Sequence, residues 1–244
     1  MKSIKKVVTG SVAASMLVAG GLGMSSVATA GELAASVAVS NMYLFRGFDL
    51  GTGAAAVSGD LSYSTDIGLY GGLWVSSGDT TFGSEYDYFG GWAGEFGGLG
   101  VDVGLINYNY SGTPGIAPSA TNGADDDTTG EYSELYLMLS YAGFDVSYWD
   151  NIAGEGLFNG ADSYTYWTAG YTYDKYSLTY GSAQIDQKTT GASLDYAHVD
   201  FGYAYNDNLS FTFSQIIDDD TEVSGKGGYD DDLKIALTYS MPIE

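Results

Sequence analysis

When the chain is read as β-strands whose side chains alternate between two faces, one face gathers most of the charge. Asp60, Glu85, Asp87, Asp102, Glu134, Asp145 and Asp200 fall on it, opposed by Lys234 and by Arg46, the single arginine. Carboxylates facing one guanidinium across a narrow aqueous passage would select permeating ions by the field between them. The alternative is structural: an inward arginine satisfies buried acids in a filled interior. The sequence leaves both open. Tyr70, Trp74, Tyr136, Trp149, Tyr164 and Tyr166 share that face. They would form a stacking track for a ring-bearing solute or, as we favour, fill the space. Arg46, Lys234, the seven acids, Tyr70, Trp74 and Tyr136 are therefore the candidate pore-lining residues.

His198 is the one histidine and falls on the same face beside Asp200. A barrel hydrolase would use such a base with a serine or a carboxylate near the rim. His198 sits mid-strand, and no motif marks a serine, so no catalytic residue is assigned. No His or Cys spacing suits a metal, and no cofactor is implied. The aspartate triplets at 125–127, 218–220 and 230–232 could hold Ca²⁺ or Mg²⁺, but none fits the twelve-residue calcium loop, and solvated loop charge is the plainer reading. Cysteine is absent, which removes disulfides and thiol chemistry.

The elements that must position these residues are strands. In residues 131–149, Leu135, Leu137, Leu139 and Tyr141 alternate with Glu134, Tyr136, Met138 and Ser140. A turn at Ala142-Gly143 pairs Tyr141 with Phe144, Leu139 with Val146 and Leu137 with Tyr148, so the apolar faces coincide. Counting this hairpin's two strands, twelve alternating segments can be marked: 33–45, 55–63, 67–75, 85–96, 99–110, the hairpin, 162–173, 176–182, 194–205, 209–217 and 233–241. Asp174-Lys175 should pair Tyr173 with Tyr176 and Tyr171 with Leu178; further on, Phe201 should meet Phe213 and Tyr203 meet Phe211. Short turns (64–66, 97–98, 142–143, 174–175, 206–208) alternate with long loops (47–53, 76–84, 111–130, 151–160, 183–191, 218–232). An even number of strands of about ten residues with that loop alternation describes a transmembrane, antiparallel, up-and-down β-barrel of twelve strands. Tyr43, Phe45, Tyr63, Phe96, Tyr108, Tyr110, Tyr141, Phe144, Tyr173, Tyr176 and Tyr205 stand at strand ends, where interfacial girdles are expected. A secreted soluble β-sandwich is the competing class, but no second layer covers the apolar face.

Residues 1–30 have a basic start at Lys2, Lys5 and Lys6, an apolar middle and Ala28-Thr29-Ala30, as a secretory signal peptide does, leaving 31–244 as the barrel. That leader holds three of the eight basic residues and none of the 31 acids. The remaining surplus of acid excludes a nucleic-acid partner, which needs a basic surface.

Phe45-Arg46-Gly47, residues 57–63 (VSGDLSY), 68–76 (GLYGGLWVS), Glu85-Tyr86-Asp87-Tyr88 and Asp102-Val103-Gly104 resemble the TorF-like porin family of proteobacterial outer-membrane proteins. The resemblance covers the first half by motif and the second by strand and turn pattern. It implies a barrel in the bacterial outer membrane with pore activity, and no catalytic residues. The expectation is a channel for passive diffusion of small hydrophilic solutes, preferring cations, with lipid outside it. The alternatives are a barrel enzyme acting on lipid or peptide and a closed structural or adhesive barrel.

Overall fold

In a computed structural model of the protein, residues 31–80, 82–111, 132–154, 163–187, 192–220 and 228–243 are described. Twelve long strands form: β1 (Glu32–Ser40), β2 (Ala56–Ser64), β3 (Leu69–Asp79), β4 (Gly83–Phe96), β5 (Leu99–Tyr108), β6 (Tyr132–Tyr141), β7 (Phe144–Gly154), β8 (Ser163–Tyr173), β9 (Tyr176–Gln187), β10 (Tyr196–Ala204), β11 (Leu209–Asp219) and β12 (Lys234–Pro242). Each pairs antiparallel with its neighbour in sequence, and β12 returns to β1, with Val39 opposite Tyr239 and Ser40 opposite Thr238. The sheet is a closed barrel. Closure matters because an open edge would leave backbone N–H and C=O groups that lipid cannot satisfy.

The registers inferred from alternation hold. Tyr141 faces Phe144, Leu139 faces Val146 and Leu137 faces Tyr148; Tyr173 faces Tyr176 and Tyr171 faces Leu178; Phe201 faces Phe213 and Tyr203 faces Phe211. Ala142-Gly143 turns tightly because both residues take positive φ, 52° and 88°.

Val57, Leu61, Val75, Leu105, Leu135, Val146, Leu178, Phe201, Ile235 and Leu237 all stand exposed on the outer surface. A continuous apolar belt of this kind far exceeds what water tolerates and suits acyl chains. Tyr63, Phe96, Tyr141, Phe144, Tyr173, Tyr176 and Tyr205 are exposed beside the short turns, an aromatic girdle at that end.

Three expectations need correction. The first strand ends at Ser40, not at residue 45. Beyond it Leu44–Phe45 and Phe48–Asp49 pair as a miniature hairpin that leaves the wall and enters the barrel. Tyr43, Phe45 and Tyr108 are consequently buried and Tyr110 packs inside, so none of the four belongs to an outer girdle. Residues 76–84 are not a long loop. β3 and β4 continue almost to their turn, with a bulge between Ser76 and Asp79, so the alternation of connection lengths breaks once. β7 and β9 also run further than expected, to Gly154 and Gln187, where Asp186 and Gln187 pair with Ser193 and Ala192. The leader and the triplet at 125–127 lie outside the described residues.

Candidate functional site in the barrel interior

The interior has two zones. Toward the short-turn end the wall presents half-buried hydroxyls, including Ser36, Ser62, Ser140, Ser147 and Thr238, together with Asp60, Asp102 and Asp145. Ser36 Oγ donates to Asp60. Tyr70 donates to Asp102 at 2.5 Å, and the Tyr70 and Tyr136 hydroxyls meet. These two rings lie along the wall because Gly91 and Gly104 leave room: a Cβ at Gly104 would stand 2.5 Å from the Tyr136 hydroxyl, and one at Gly91 would stand 2.6 Å from that of Tyr70.

The other zone is occupied by the inserted hairpin. Arg46 (φ 48°) and Gly47 (φ 90°) form its turn, a left-handed pair in which only the glycine is at ease. Asp49 stiffens the return by accepting the N–H groups of Gly51 and Gly53 at 3.0 and 2.7 Å. Thr80 N–H donates to Leu50 C=O at 3.2 Å, tying the segment to the tip of β3. The hairpin crosses the barrel: Tyr43 lies 6.0 Å from Trp74 on β3, while Phe48 meets Tyr196 on β10 edge-on at 4.8 Å.

Arg46 is the centre of this zone. Its two terminal nitrogens donate to both oxygens of Glu134 at 2.8 and 2.7 Å, and one also donates to Tyr164 Oη at 2.7 Å. Tyr108 donates to Glu134 Oε2 at 2.9 Å. The guanidinium carbon lies 4.4 Å from the Tyr166 ring centre and 5.2 Å from that of Trp149. A two-point fork inside a ring of aromatic faces is the strong form of a buried ion pair. Glu85 and Asp87 are buried nearby on β4; Glu85 accepts from Tyr43 and, at 2.9 Å, from Tyr110.

All twelve candidate residues project inward, but they do not form one ring. Arg46 lies in the hairpin's turn with Glu134, Glu85, Asp87 and Trp74 around the inserted segment, whereas Asp60, Asp102, Asp145, Tyr70 and Tyr136 belong to the hydroxyl-lined zone. Asp200 binds His198 Nδ1 at 3.0 Å, and His198 Nε2 meets Tyr166 Oη at 2.7 Å, making a buried chain that reaches the ring beneath Arg46. His198 is fully buried under Gly47, so neither lipid nor bulk water meets it. Lys234 sits at the start of β12 and donates to the carbonyls of Asp230 and Asp232 at 2.8 and 3.2 Å. The Asp232 backbone N–H and this ammonium hold the Asp230 carboxyl below its usual range. Of the triplets, Asp218 and Asp219 close β11, and Asp230 serves Lys234. Among the described residues no three His, Asp or Glu side chains converge as a metal would require.

Tyr43 and Phe45 are members of the site that strand alternation does not reveal, whereas Tyr108 shares the inward parity of Asp102. A signal is nonetheless present: Arg46-Gly47, flanked by Phe45 and Phe48, suits a two-residue hairpin turn better than the end of a strand.

A bacterial protein family of unknown function, Gcw_chp, matches residues 25–224. The chain belongs to this family. The match does not show the narrower resemblance to TorF-like porins. No curated protein matches the sequence. Among solved structures, the KdgM porin is similar at 8% identity and a TM-score of 0.48, over 87% of this chain and 99% of that one. The NanC porin gives 11%, 0.46, 86% and 98%, and OprD of Pseudomonas aeruginosa 14%, 0.40, 90% and 68%. At such identities and TM-scores nothing of those porins is carried over to this family member, whose barrel rests on its own strand pairing.

Proposed function

We propose that the protein is a bacterial outer-membrane channel for passive diffusion of small hydrophilic solutes, with a preference for cations. The observation that carries this is the contrast between the two faces of one closed wall. The outer face is an apolar belt with an aromatic girdle, and the inner face carries hydroxyls and ionisable groups that a membrane protein keeps for aqueous paths. The candidate pore-lining residues divide into a hydroxyl and aspartate vestibule and a constriction built by Arg46 and its partners. Seven inward carboxylates against Arg46 and Lys234 favour cations, because a narrow low-dielectric passage strengthens the field of its walls. The motifs shared with TorF-like porins support the same reading, as does the leader for the export route.

A closed structural barrel is the second reading, favoured by one observation: the segment 43–49 spans the interior between Trp74 and Tyr196. Reconstitution into planar bilayers and liposomes separates the two. Discrete conductance steps and swelling in small solutes support the channel. A correctly folded barrel that gives neither supports the closed form.

A further inference from the structure

The interior contains two groups of carboxylates and rings, and among the described residues the protein supplies a guanidinium to one of them. Glu134 receives Arg46. Two strands away, Glu85 and Asp87 project from β4 into a row set by the registers, with Trp74 opposite Asp87 on one side and Tyr108 opposite Tyr132 on the other. Both oxygens of Glu85 accept from phenols. Asp87 differs. It is 1% exposed, its Oδ1 has no hydrogen-bond partner among the described residues, and Glu85 is buried two residues before it on the same face of β4. The Tyr132 hydroxyl, on a residue 3% exposed, is in the same condition.

A buried carboxylate oxygen without a donor is costly, and like charges beside it add to the cost. A cation bearing N–H groups answers both. The surroundings favour an organic one, since Tyr43, Trp74, Tyr108 and Tyr132 belong to the buried aromatic cluster that also holds Tyr166 and Trp149 beside Arg46. A hard metal ion would need several converging oxygen ligands. We infer that Asp87, Glu85 and Tyr132 form a binding site for an organic cation with a primary ammonium or guanidinium head. Asp87 Oδ1 accepts its N–H, and the flanking rings cover its faces. The inference rests on the channel reading only for the route by which the solute arrives.

The test uses the mature chain folded in detergent, so binding is measured without requiring a conducting pore. Ethylammonium and guanidinium chlorides are titrated by calorimetry, with potassium chloride as the inorganic control. Saturable binding of an organic cation by the wild type and by Asp207→Asn, an exposed short-turn residue, weakened about tenfold in Asp87→Asn (~1.4 kcal/mol), supports the site. Tyr132→Phe should weaken it about threefold, and it serves alone if Asp87→Asn does not fold. Equal affinity for potassium, unchanged affinity in the variants, or no saturable binding in the wild type overturns the inference. Conductance in potassium chloride, recorded separately, decides the channel reading.

Discussion

Arg46→Ala is the substitution with the most to reveal, because this side chain makes the hairpin's ion pair with the wall. Its guanidinium gives two hydrogen bonds to Glu134 and one to Tyr164, and it sits over Tyr166 and Trp149. Deleting it leaves Glu134 buried without its counter-charge, a change that costs about 3–5 kcal/mol. Lost ring contacts add up to about 2 kcal/mol. Alanine gains nothing at φ 48°; Arg46→Gly would recover about 1 kcal/mol relative to it by relieving the left-handed backbone. If the fork to Glu134 accounts for most of the loss, Glu134→Gln removes much of the same interaction. The double variant should then cost less than the two single ones together by about 2–3 kcal/mol. Urea unfolding in lipid vesicles, followed by tryptophan fluorescence and with Trp149 beside the cluster, measures the wild type and all four variants. Additive losses would show that the fork does not hold the hairpin.

Leu137 is 42% exposed on the outer face and Met138 points inward; Leu137→Lys should therefore cost about 2–4 kcal/mol and Met138→Lys clearly less, with equal losses refuting the alternation. Proteases added to intact cells should cut within 111–131 or 220–233 and spare Asp174-Lys175; the opposite pattern would invert the topology. Gly47→Ala meets His198 Cβ at 3.0 Å with φ +90°, whereas Gly53→Ala at φ +85° meets nothing within 4 Å. Both should lose about 1–2 kcal/mol to the left-handed backbone, and thermal unfolding should show the larger loss at Gly47; equal losses would mean the hairpin does not press on His198.

The wall is legible in the sequence because alternation is local. Leu137 and Met138 differ in facing for the same reason in sequence and in space, and a short turn such as Ala142-Gly143 fixes register without help from distant residues. The inserted hairpin is not legible as a plug. Tyr43 and Phe45 keep the period of the strand before them, so periodicity alone extends β1 through them; what removes them is the reversal at Arg46-Gly47, whose surroundings have the composition of a loop. The inward facing of Arg46 and Glu134 can be read, but their pairing cannot. They are 88 positions apart and meet only because the hairpin crosses the barrel. The extension of β3 and β4 beyond residue 76 is hidden because Ser76, Ser77 and Gly78 look like loop residues. Pairing across a bulge carries them as strand.

The most direct test of a cation-selective interior is the reversal potential of the reconstituted protein across a salt gradient. An inner wall dominated by Asp60, Asp102, Asp145 and the acids around the hairpin should make the current cation-selective. The selectivity should be stronger near 0.1 M, where charges act over about 10 Å, than near 1 M, where they act over about 3 Å. Asp102→Asn should weaken it, and Arg46→Ala should strengthen it. An anion-selective reversal potential at low salt would contradict this picture of the interior.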